Sequence, residues 1–68
     1  MRIINIMTNE LIIEKQKLEN ELERILNNSS MTTEEILKNS LEVLNKLTQT
    51  NNDLLTWEAY INKEKEKN

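Results

Sequence analysis

The chain has no cysteine, no histidine, no glycine and no proline. Without cysteine no disulfide can form. Without cysteine or histidine there is no nitrogen- or sulfur-based metal site and no nucleophile–imidazole pair. The missing glycine excludes phosphate-cradling loops, whose backbone must approach the ligand without a Cβ in the way. The missing proline means that no helix is interrupted by a ring that lacks an N–H. Trp57 and Tyr60 are the only aromatic residues, too few for a base-stacking platform or a β-sandwich core. No apolar run approaches the roughly 20 residues of a membrane span. The apolar start, residues 1–7, is short for a secretory leader, and Asn5 interrupts it. A soluble, cytoplasmic protein is therefore expected, which suits a chain without cysteine.

Charge narrows the partners. Twelve acidic residues outnumber nine basic ones, for a formal net charge of -3. Binding to nucleic acid by phosphate neutralisation needs a clustered basic face. Here Lys63, Lys65 and Lys67 alternate with Glu64 and Glu66, which reads as a solvated helix end. Carboxylate pairs such as Glu10/Glu14 and Glu19/Glu23 sit at helical spacing and read as a soluble surface. No metal site, no cofactor and no nucleic-acid partner is expected, and no residue is assigned a catalytic role.

What the chain does contain is a heptad pattern. From Ile36 onward, Ile36, Val43, Thr50 and Trp57 fall seven apart, and Ser40, Leu47, Leu54 and Ile61 fall seven apart with an offset of four. Such spacing makes one continuous seam along a helix face. Earlier, Ile4, Leu11, Leu18 and Ile25 repeat with the same period, with Leu22 filling the gap and Leu26 widening the stripe. Glu14, Lys17, Glu21 and Arg24 supply a charged outer face. Sixty-eight residues bury too little apolar surface for a comfortable core, so oligomerisation or a partner helix is expected.

Local signals divide the chain. Thr8 and Asn9 are acceptable caps for a first helix of about 8–27, although Ile4 in register allows an earlier start. Asn27, Asn28, Ser29 and Ser30 form a polar break, in which Asn can supply a left-handed cap. Thr32 and Glu35 stand in capping-box spacing, with Met31 and Ile36 placed as a hydrophobic staple. Glu34 and Glu35 complement the positive end of the helix dipole. A second helix is predicted over about 33–63. Residues 48–53 are poor helix formers, so a break near 49–53 is weighed. The register passes through unshifted, which favours one long helix.

The expected architecture is all-α: a single antiparallel helical hairpin with a longer second helix, becoming a bundle or coiled coil on dimerisation. Leu37, Leu41 and Leu44 lie beside the seam, so more of the second helix is apolar than one neighbour covers. The first half of the seam is assigned to the hairpin itself. The second half, beyond Thr50, is left for a partner unless residues 1–7 also fold back as helix, with Trp57 as the anchor. The residues expected to bind a partner are Ser40, Glu42, Val43, Leu47, Leu54, Trp57 and Ile61.

The segment Glu35-Ile36-Leu37-Lys38-Asn39-Ser40-Leu41-Glu42-Val43-Leu44, following a short acidic helix and a polar loop, resembles one family. It is similar to the small sporulation-regulating aspartyl-phosphate phosphatases of the stage-zero E type. The resemblance spans roughly residues 11–47. It implies a helical hairpin that docks on the receiver domain of a response regulator and promotes hydrolysis of its phospho-aspartate, the partner supplying that group and its Mg²⁺. The family's signature reads Ser-Gln-Glu-Leu-Asp, and Ile13-Glu14 matches its frequent start of the first helix. Ser40 and Glu42 match the signature. Leu41 replaces Gln, Val43 replaces Leu and Leu44 stands in the place of Asp. Asn45 follows one residue late, a turn of about 100° around the helix. The lost Gln and Asp are the polar groups suited to an attacking water, so binding without hydrolysis is the version of this function that the departures suggest. The alternative is a non-enzymatic dimeric adaptor or co-chaperone that packs on a partner helix.

Overall fold

The computed structural model describes residues 2–66, which form two helices joined by a short turn: α1, Arg2–Leu26, and α2, Thr33–Glu66. The helices lie antiparallel, and their assembly measures 54 × 17 × 12 Å between Cα extremes. The long dimension matches α2, whose 34 residues at about 1.5 Å each span roughly 51 Å. The short dimension is that of a single layer of helices.

The turn is built from local hydrogen bonds. Asn27 donates both its backbone N–H (3.1 Å) and its side-chain amide (2.9 Å) to the Glu23 carbonyl, and Asn28 N–H tightens the last turn onto the Ile25 carbonyl at 3.2 Å. Asn28 Oδ1 accepts from Ser30 N–H at 2.9 Å, an Asx turn that reverses the chain. No described residue has positive φ. The expected left-handed Asn cap is therefore not used, because these side-chain bonds close the helix end without it. The capping box does form. Glu35 N–H donates to Thr32 Oγ1 at 3.2 Å, and Thr32 N–H and Oγ1–H both donate to Glu35 Oε1, at 3.3 and 2.9 Å. Met31 and Ile36 pack beside it on the core made by Leu18, Ile25 and Val43.

Two boundaries differ from the sequence reading. α1 begins at Arg2 and not near Thr8. Thr8 is a polar, cap-like residue, but here its hydroxyl donates to the Ile4 carbonyl at 2.8 Å, inside the helix. Nothing between Arg2 and Asn9 breaks a helix, and Ile4 gives that segment an apolar residue in register with Leu11. α2 ends at Glu66 and not near 63, and it runs unbroken through 49–53, as the unshifted register favours. Thr50 turns its hydroxyl back onto the Lys46 carbonyl at 3.0 Å, and Gln49 donates to Asp53 at 3.0 Å across one turn. The groups that compete with helical backbone elsewhere are satisfied here within the helix.

The seam is continuous on both helices. On α1 the buried and half-buried positions are Ile4, Thr8, Leu11, Lys15, Leu18, Leu22 and Ile25. On α2 they include Ile36, Ser40, Val43, Leu47, Thr50, Leu54, Trp57 and Ile61. These alternate in steps of four and three, the spacing of knobs-into-holes packing. Trp57 Nε1–H donates to Thr8 Oγ1 at 2.9 Å and sets the register between the helices. Stepping from that pair places Lys15 level with Thr50.

Candidate functional site

The early start of α1 changes what is available for binding. Its first two turns lie against the end of α2, so the seam beyond Thr50 is occupied within the hairpin. Of the seven residues expected to meet a partner, Ser40, Val43 and Leu54 are buried, and Leu47, Trp57 and Ile61 are half-buried. Glu42 alone is exposed. The structure thus brings six of the seven together on one line, but that line faces α1. The physical reason is length: helix from Arg2 gives α1 enough turns to reach Ile61.

Ser40 has a particular environment. It is 8% exposed, and its Oγ has no hydrogen-bond partner. A hydroxyl taken from water without replacement costs roughly 1–3 kcal/mol. Its small size permits close helix approach, and alanine is smaller still. Ser40→Ala should raise the urea midpoint, by about 1 kcal/mol of unfolding free energy. A loss of stability in that melt would show that the hydroxyl has a partner in solution.

The flanks of the seam differ sharply. In an antiparallel pair, the residues that follow alternate seam positions on the two helices share one face, and those that precede them share the other. One face carries Glu14, Glu21 and, farther out, Lys17 and Arg24 on α1, opposite Asn39, Glu42, Lys46 and Asp53 on α2. Glu21, Arg24, Asn39, Glu42 and Lys46 line one shallow groove, which confirms that they converge. The other face, which also holds Glu19, Asn51 and Glu58, carries six apolar residues: Ile12 and Leu26 on α1 and Leu37 and Leu44 on α2, with Leu41 and Leu55 just outside them. All six are exposed, Leu37 by 59% and Leu41 by 60%. The hairpin therefore has a charged side and a leucine side.

A third feature lies at the open end. There Ile3, Met7, Trp57, Tyr60 and Ile61 are among the walls of a broad cleft of about 1410 Å³. Trp57 and Tyr60 stack with ring centroids 5.7 Å apart and planes at 21°. This is where two of the expected binding residues, Trp57 and Ile61, retain some accessible surface.

Leu37, Leu41 and Leu44 are legible in the sequence as surplus apolar surface, although the seam there carries the expected binding role. Thr8 and Lys15 are not legible as seam residues. Their signal was the step of four and three between Ile4, Leu11 and Leu18, obscured because both are polar. Among the described residues, no three metal-capable side chains gather, and no helix is long and apolar enough to cross a membrane. No family model, curated protein or solved structure matches the chain.

Proposed function

We propose that this chain is a small protein-binding regulator that docks through the leucine face of its hairpin. The observation that carries the reading is the line Leu37, Leu41 and Leu44, exposed by 59, 60 and 42% along one side of α2. Soluble chains rarely expose contiguous apolar surface unless it is used. The rigid helix beneath it suits recognition, because little order is lost on binding. A photo-crosslinking residue at Leu41 is expected to capture a protein partner in the native cells, whereas the same residue at Asn45, exposed on the outer side of α2, is expected to capture none. Equal capture at both positions, or none at either, removes the proposal.

A second reading keeps the receiver domain as the partner. It is favoured by Glu42, which is exposed and shares a groove with Arg24 and Lys46 on the charged face. Ser40, the other residue that matches the family signature, is buried and turned toward α1. Any hydrolysis on this reading depends on Glu42 and its groove, with phospho-aspartate and Mg²⁺ from the partner. Phosphate release from a phosphorylated receiver domain, with and without the chain, decides it. No acceleration rejects the catalytic version.

A further inference from the structure

We infer that the occupant of the leucine face is a second copy of this chain, and that two hairpins pack leucine face to leucine face as a four-helix bundle. The inference rests on the reading of that face as a protein-binding surface and names its partner.

Surface area is the first argument. A globular monomer of 8.1 kDa is expected to expose about 4500 Å². The hairpin exposes 5631 Å², an excess of roughly 1100 Å². A standard specific interface removes about 800 Å² from each partner. The excess is thus large enough for the area that each subunit of a symmetric dimer buries.

Layering is the second. Domains bury a core between at least two layers of secondary structure. This chain supplies one, 12 Å deep between Cα extremes. Among the described residues no side chain is fully buried, as expected of a seam open on both sides. A second hairpin on the leucine side converts Leu37 and Leu44 from the rim of a two-helix seam into the centre of a four-helix core.

The third is the chemistry of the two faces. The leucine side has Ile12, Leu26, Leu37, Leu41, Leu44 and Leu55, running about 27 Å from Leu37 to Leu55 at 1.5 Å per residue. Leucine against leucine needs no complementary charge, so the same patch serves both subunits of a two-fold dimer. The opposite side carries Glu14, Glu21 and Glu42 among Lys17, Arg24 and Lys46, and burying so many charges in a dimer costs desolvation, which disfavours that face.

Sedimentation equilibrium of the full chain tests this. The expected mass is twice 8.1 kDa. Leu41→Glu is expected to weaken self-association roughly a hundredfold or more, because each substitution enters a two-fold interface twice, and to leave a helical monomer, because Leu41 makes no part of the seam. Leu37→Glu should do the same. Ile13→Glu, exposed on the outer side of α1, should leave the dimer intact. A monomeric wild type, a dimeric Leu41→Glu protein, or equal disruption by Ile13→Glu overturns the inference. The broader reading fails separately. A monomer whose Leu41 cross-links to a different protein rejects only the self-partner, whereas a monomer with no adduct at Leu41 rejects both.

Discussion

Leu18→Ala is expected to remove about 3 kcal/mol from the unfolding free energy, the middle of the range for a leucine deleted from a packed core. Leu18 is 5% exposed and packs in one cluster with Ile25 and Val43, at the centre of the hairpin's tightest region. Truncation removes apolar contact and leaves a space that two helices joined at one end refill incompletely. Ile6, exposed on the outer side of α1, serves as the control, and Ile6→Ala should change stability by no more than about 0.5 kcal/mol. Urea melts followed by helical circular dichroism measure both. The variants are compared at one chain concentration, because the proposed dimer would couple stability to concentration. A Leu18→Ala midpoint equal to that of the control shows that the seam is packed differently.

Trp57→Ala is expected to release the start of α1 without unfolding the hairpin. Trp57 is half-buried, stacks on Tyr60 and donates to Thr8 across the open end. A fully buried tryptophan costs about 3–5 kcal/mol on truncation, so a half-buried one should cost roughly 2. If that loss is local, amide hydrogen exchange in residues 6–11 accelerates about thirtyfold. Residues 2–5 are uninformative, because the first four N–H groups of a helix have no intrahelical acceptor. Exchange at Leu18 to Leu22 should change much less. Uniform acceleration along α1 means that the open end does not behave as a separate unit.

Both experiments probe residues whose seam positions were readable, and one of them exposes a misreading. Thr32 and Glu35 announced the start of α2 because a capping box is closed within four residues. The register through 48–53 was also readable, and it outweighed the weak helix formers there, since Thr50 and Gln49 satisfy themselves within the helix. Thr8 misled for the opposite reason. A threonine before a charged, apolar-periodic run has the chemistry of a cap, and nearby only Ile4, in register, speaks for an earlier start. Its actual role depends on Trp57, 49 residues away. The assignment of Leu54, Trp57 and Ile61 to a partner rests on an α1 that begins near Thr8, since a shorter α1 leaves their half of the seam bare.

By itself, the sequence determined that this protein is two helices with a turn between them and one heptad seam on each. Those properties follow from period, capping and the absence of breakers, all of which act over a few residues. Only the tertiary structure decided how the seam is divided and which face is left open. That depends on how far α1 reaches along α2, a length set by whether residues 2–7 gain enough by packing on Trp57 and Ile61 to stay helical. Once they do, the seam is full, and the leucines beside it become the surface that remains to be covered.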